Sequence, residues 1–310
     1  MTTSAQPSQP AASSDHPQPQ HRALAPGQHA QVWVADAVTG RVDLVHDSST
    51  VLLEAPNWSD DDHLLLNGDG HLWSLPLNGP HRALRKIRFT GLPEINNDHV
   101  LQPGTDVVLM TANDGHIYAG SQRGGAVHRT TPVDGQHHFL HGLSPDGDWL
   151  AYVEIPLADT TQPGRVVQRS RAGAPPRRLD AGGRHCDGPE YSPDGEWVYL
   201  NTEAFSTTPG HAQLARFPAT GGPLEQLLSS TTVDWFPHLA PRGDLATYVA
   251  FPAGTLGHPA DVDVEVRVVD TSDWGTPLHV FPVPGGQGTL NVNSWSPDGL
   301  RFAFVSYPTP

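Results

Sequence analysis

Apolar positions in this chain come in short bursts. Runs of Val, Leu, Ile, Tyr, Phe and Trp alternate with polar residues, and each run stops at a Gly, Asp or Pro turn. Alternation of this kind predicts half-buried strands, and no window of about 12 residues carries the 3.6-residue stripe of a helix. Residues 1 to 27 differ: they form a Gln/Pro/Ser/Ala tract without apolar periodicity. Such a tract cannot bury enough surface to offset its ordering entropy, so it is expected to be a disordered tail before a single domain over residues 28–310.

The strands repeat. Four segments align: His141-Gly-Leu-Ser-Pro-Asp-Gly-Asp-Trp-Leu-Ala-Tyr-Val, Glu190-Tyr-Ser-Pro-Asp-Gly-Glu-Trp-Val-Tyr-Leu, His238-Leu-Ala-Pro-Arg-Gly-Asp-Leu-Ala-Thr-Tyr-Val and Ser294-Trp-Ser-Pro-Asp-Gly-Leu-Arg-Phe-Ala-Phe-Val. Two weaker copies precede them, beginning at Asn57 and Val100. Taking the Ser of Ser-Pro-Asp-Gly as the marker, the copies fall at 59, 102, 144, 192, 240 and 296, with Gln102 and Ala240 in place of Ser, and the spacings are 43, 42, 48, 48 and 56. A period in the forties in an all-β chain predicts propeller blades of four strands. In each copy Pro sets φ at the first turn position, Asp accepts from backbone amides and Gly permits positive φ. Segments at His71, His116 and Val264 read as third strands, with Gly124-Gly125, Gly221-Gly222 and Gly285-Gly286 as turns after them. The sixth copy has two strands, and residues 31–46 supply two more with a Thr-Gly turn. The expectation is a six-bladed propeller in which N-terminal strands complete the C-terminal blade and remove exposed edges.

Charge and composition narrow the function classes. A formal net charge of −15 argues against a nucleic-acid binder, whose phosphate affinity would come from Lys and Arg. Cys186 is the single cysteine, which excludes an internal disulfide framework and a cysteine zinc cluster. No apolar stretch approaches the roughly 18 residues that cross a bilayer, and the N-terminus lacks the pattern of a signal peptide. The expected address is cytoplasmic, with no membrane partner.

The repeats resemble the WD40-like repeats of TolB-type β-propellers over roughly residues 30 to 308. A subgroup of TolB-like proteins carries inner-strand motifs that match Asn97-Asp98-His99, His141-Gly142, Gly188-Pro189-Glu190-Tyr191, Asp234-Trp235-Phe236-Pro237-His238 and Gly285-Gly286-Gln287-Gly288-Thr289-Leu290-Asn291-Val292. The resemblance implies the fold, and it implies that residues just before Ser-Pro-Asp-Gly lie beside the central channel.

Reading that ring gives Asn57, His99, His141, Glu190, His238 and then Asn293 or Ser294. Three imidazoles and a carboxylate on successive blades suit a divalent metal, so His99, His141, Glu190 and His238 are candidate ligands for Mn²⁺, Zn²⁺ or Fe²⁺. Asp98, Asp187 and Asp234 are placed to orient the imidazoles. Water-filled polar channels are equally common without a site, and 18 His put some near any axis by chance. The longest spacing holds His258 and Arg267; a loop there can bring His258 back as an acid–base group beside Glu190. Trp235 can stack on a sugar or, equally, pack in the core, and Asn57, Gln287, Asn293 and Arg267 can bind polar groups of a sugar. The Gly-rich run at Gly285 can offer backbone amides to an anion, or be only a turn. Trp149 and Trp197 read as core between blades, Trp58 and Trp295 as structural, and Cys186 as a spectator thiol.

Two functions follow from this ring. One is binding of a small molecule or carbohydrate at the channel mouth, extending to metal-dependent lyase or hydrolase chemistry, for which oligogalacturonate lyases, with metal held by His and Gln in a propeller funnel, give an analogy of fold. The alternative is a non-catalytic TolB-type scaffold that binds a protein partner over one face.

Overall fold

Each Ser-Pro-Asp-Gly copy closes on itself through its own side chains. In the computed structural model, Ser144 Oγ donates to Asp146 Oδ1 at 2.5 Å and accepts from Trp149 N at 2.9 Å. Ser192 with Asp194 and Ser296 with Asp298 repeat the first bond at 2.5 Å. Gly147, Gly195 and Gly299 sit at φ +77°, +74° and +69°, a region open to Gly without cost. The structure describes residues 21–79 and 82–309.

The turns join the two inner strands of each blade, and six blades ring one axis. Blade 1 runs Leu53–Trp58, His63–Gly68, His71–Pro76, Arg85–Lys86. Blades 2 to 5 start on inner strands Ile95–Leu101, Gln136–Leu143, Cys186–Tyr191 and Val233–Leu239, each the edge of a four-stranded antiparallel sheet. In blade 6, Arg301–Ser306 pairs with Ala30–Asp36, which pairs with Val42–Ser48. Trp295 bridges Phe302 on the inner side, so strands from both ends of the chain make one blade, as expected. Apolar faces of neighbouring blades form the core; Trp235, Phe236, Val249, Val266, Phe302 and Phe304 belong to one such layer. Among the described residues no helix is long and apolar enough to cross a membrane.

Gly285 and Gly286 end the outer strand His279–Gly286 of blade 5 rather than forming a turn after a third strand, unlike the sequence expectation. Trp149 and Trp197 are half-buried and pack, as expected, against the cores between blades 3 and 4 and between blades 4 and 5, with Arg177 and Arg216 stacked over them at 4.2 and 4.0 Å. Residues 1–20 of the expected tail lie outside the described residues. At its C-terminal part, Arg22 Nη1 donates to Glu54 Oε1 and to the Gln287 carbonyl, both at 2.7 Å.

A bulge in the inner strands sets what faces the channel. In blades 1, 4 and 5 the pairing register shifts at a residue followed by Pro, with Ala55, Gly188 and Phe236 at φ +52°, +60° and +56°. For Ala55 and Phe236 this conformation costs about 1–3 kcal/mol and persists only where surroundings impose it. The inner strands run from one mouth of the channel to the Ser-Pro-Asp-Gly turns at the other.

Candidate functional site

The far mouth, opposite the turns, gathers ionisable groups from successive blades around His141. Its Nε2 lies 3.2 Å from Asp187 Oδ1 and 3.9 Å from Asp98 Oδ1, and Nδ1 lies 3.3 Å from the Asn291 carbonyl. Asp187 also meets His185 Nε2 at 3.6 Å. Phe236, held in its left-handed conformation, stacks on His141 at 5.7 Å. His258 arrives on the loop between the second and third strands of blade 5. Its ring sits 4.4 Å from Trp235 and 5.1 Å from Phe236, and Nδ1 bonds Gln287 Oε1. Gln287 Nε2 in turn donates to Asn97 Oδ1 at 3.2 Å. Trp235 Nε1 is buried and has no partner among the described residues.

These groups drive each other's protonation apart. Burial opposes a charge on His141, but Asp98 and Asp187 outweigh it and raise the imidazole to about 9. Burial pushes the Asp98 carboxyl up to about 6 despite His141. Asp187 is buried as well, yet His141 and His185 hold it well below the usual carboxylate range. Burial keeps His258 neutral, below its ordinary value. Near pH 7 the mouth therefore holds an imidazolium between two carboxylates, with a neutral imidazole beside them. One raised carboxyl, one ionised carboxylate and a neutral base are the parts acid–base chemistry needs.

A second network lies deeper, toward the turns. Glu190 Oε2 accepts from His238 Nδ1 at 2.6 Å, and Glu190 Oε1 accepts from Leu239 N at 2.9 Å and Asn293 Nδ2 at 2.7 Å. His238 Nε2 donates to the Leu290 carbonyl at 3.2 Å. Asn57 Nδ2 donates to the Asn293 carbonyl at 2.5 Å. This network ties blades 4, 5, 6 and 1 together beneath a funnel of about 430 Å³ at the turn mouth.

The four expected metal ligands are not brought together. His99 faces blade 1, with Nε2 3.3 Å from the Leu65 carbonyl, and burial lowers it to about 4. His141 is held protonated by Asp98 and Asp187. Both nitrogens of His238 are committed, and Glu190 accepts three hydrogen bonds across its two oxygens, so the pair is spent on tying blades together. Arg267 stands away from the channel, bound to Glu265 Oε2 at 2.7 Å and stacked over Tyr248 at 5.8 Å. Asp234 orients no imidazole of the quartet; it accepts from Ser230 Oγ at 2.5 Å and Thr232 Oγ1 at 2.8 Å. The Gly-rich run spends its amides internally, Gln287 N on the Pro259 carbonyl and Gly288 N on Asn291 Oδ1. Cys186 is buried, and burial pushes its thiol up to about 11, out of reach of nucleophilic use.

His258, Trp235 and Gln287 do meet at the far mouth, while Asn57 and Asn293 sit in the deeper network. Sequence reasoning missed His185 and Asn97, and took Asp98 and Asp187 as supports when they flank the central cation. The signal was the position five residues before the motif Ser: Glu54, Asn97, Asp187, Trp235 and Asn291 all occupy it and all line this end.

No family model matches the chain. A curated relative, the uncharacterized protein Atu1656 of Agrobacterium fabrum, is 38% identical over 264 residues, covering 83% of this chain and 85% of the relative. The solved structure of a "putative TolB" from Agrobacterium tumefaciens superimposes with a TM-score of 0.81 at 33% identity, covering 91% of this chain and 99% of that one. An oligogalacturonate lyase in complex with manganese shares the fold, with a TM-score of 0.52 at 14% identity over 88% of this chain and 77% of the lyase. The repeats, the ring closed by strands from both ends and the match over most of the chain to these relatives make the chain a member of the TolB-like family of six-bladed β-propellers.

Proposed function

We propose that this propeller binds a small polar molecule of the carbohydrate class at the far mouth of its channel, where Asp98 and His258 move protons in lyase- or hydrolase-type chemistry. The observation that carries this reading is convergence. Asp98, His141, Asp187 and His185 from three blades, and His258 from a fourth, meet beside the Trp235 and Phe236 rings at a place where blade packing alone requires no ionisable group. Asn97, Gln287 and Asp187 suit a sugar's hydroxyls, while Trp235 and Phe236, each 2% exposed, form the apolar wall behind His141 and His258. His258 is neutral and can accept a proton; the fraction of Asp98 still protonated near its raised value of about 6 can donate one, so turnover should be favoured on the acid side of neutrality.

A thermal-shift and calorimetric screen against uronic acids and neutral disaccharides tests it. A ligand should stabilise the wild type, with affinity at least tenfold weaker in His258→Ala and Asp98→Asn and unchanged in Arg267→Ala. Equal binding by all four proteins, or no stabilising sugar, contradicts it.

A protein partner on the opposite face is the second reading. The turn-mouth funnel is rimmed by Pro103, Pro145, Pro193, Pro241 and Pro297, an apolar ring without backbone donors.

A further inference from the structure

Away from the channel, on the far face between blades 2 and 3, Asp134, His138 and Glu154 bring one ligand atom each within 4.8 Å of one another. We propose that these three side chains form a divalent transition-metal site, with Zn²⁺ as its fitting ion, that staples the turn before blade 3 to its two inner strands.

The backbone places the donors. His138 and Glu154 are directly opposed on neighbouring antiparallel strands, and Asp134 lies in the turn leading into the first of them. His138 Nδ1 donates to the Gly115 carbonyl of blade 2 at 2.7 Å, which fixes the ring and leaves Nε2 as the lone-pair side. A ring nitrogen spent on a backbone carbonyl is the usual partner arrangement of a metal-bound imidazole.

The spacing argues for an ion rather than a simple pair. Ligand atoms about 2.0–2.2 Å from a tetrahedral ion are about 3.4 Å from each other. Nε2 stands 3.3 and 3.4 Å from the two Asp134 oxygens. Other imidazole–carboxylate contacts include 2.6 Å at His238–Glu190, 3.0 Å at His21–Glu94, 3.2 Å at His141–Asp187 and 3.6 Å at His185–Asp187, so the convergence of three donors, more than one distance, marks the site. One nitrogen and two carboxylates form a donor set suited to Zn²⁺ or Mn²⁺, with coordination left for water. His138 is fully buried and the Glu154 side chain is 9% exposed, whereas Asp134 is 34% exposed and gives an ion its way in. Arg178, at 3.4 Å from Glu154 and 57% exposed, is the competing cation and is free to turn to solvent. The Tyr152 ring edge, 5.2 Å from His138, walls the other side.

The test uses the full chain stripped with chelator and titrated with ZnCl₂. Wild type should bind one more equivalent of Zn²⁺ than Asp134→Ala or Glu154→Gln, by elemental analysis after desalting. Its Tm should rise by about 5 °C at a hundredfold excess over Kd, a rise absent in both variants. His138→Ala also removes a buried hydrogen bond, so Asp134→Ala, at the part-exposed turn, is the decisive variant. The same stoichiometry and shift in wild type and Asp134→Ala overturn the proposal, as does a wild type that Zn²⁺ does not stabilise. The site is independent of the channel: sugar binding by Asp134→Ala should match the wild type.

Discussion

His141→Ala should lower stability at pH 7 by about 3–5 kcal/mol, the usual cost of leaving one side of a buried ion pair without its partner. The imidazole is the cation that lets Asp98 and Asp187 stay buried and ionised; without it both carboxylates face an apolar wall formed by Phe236. The penalty should shrink as pH falls below about 6, because Asp98, already raised to about 6 by burial, takes up a proton and no longer needs a counter-charge. The wild type should show the opposite limb. His141 is raised from 6.5 to about 9, so its stabilisation is complete below pH 6.5 and is lost as pH rises through 9. Urea melts from pH 5 to 9.5 on both proteins read these limbs. Wild-type and variant profiles that run parallel contradict the arrangement.

Opening the ring should have the second large effect. Ala30–Asp36 is held by Arg301–Ser306 through a continuous register from Gln31 opposite Ser306 to Asp36 opposite Arg301. It buries Ala30, Val32 and Val34 against Leu53, Leu64, Ala303 and Val305. Burial of those three side chains is worth roughly 5 kcal/mol, comparable to the whole stability of many domains. Removing residues 21–48 also bares the edge of Arg301–Ser306, a template for aggregation. The truncated chain should be recovered as aggregate by size exclusion. Val32→Asp, which buries an unpaired carboxylate at the same seam, should unfold at lower urea than Val38→Asp, where the side chain is 67% exposed. A monomeric, cooperatively folding truncation contradicts closure by the N-terminal strands.

The fold was readable because its determinants are local. Ser144, Asp146 and Gly147 satisfy one another within a single turn, and the Ser–Asp bond recurs at Ser59, Ser192 and Ser296, so the marker spacing counts the blades even where Gln102 and Ala240 replace the Ser. Closure followed from strands left without partners at each end. The site was only half readable, because the residue that faces the far mouth depends on backbone conformation. Left-handed Phe236 and Gly188 shift the inner strands by a bulge, so Asp187, five residues before the motif Ser, reaches the mouth while Glu190 and His238 turn into a network between blades. No periodic rule on residue type reveals that shift. His258 was found because a long spacing implied a loop over the channel, and Gln287 because it sits in the Gly-rich run that matches the TolB-like motif. Arg267 lay in the same stretch, but its place in a regular strand turned it outward to Glu265. Arg22 was hidden in a tract whose composition reads as tail, although its guanidinium neutralises buried Glu54.

Histidine-selective ¹⁵N NMR tests most directly whether side chains from four blades share one ligand-binding mouth. Through a pH titration, the His141 ring should stay doubly protonated to about pH 9, and a bound sugar should shift His141, His185 and His258 together while His138 and His116 do not move. A His141 that loses its proton near the ordinary 6.5, or a sugar that moves none of the three, contradicts it.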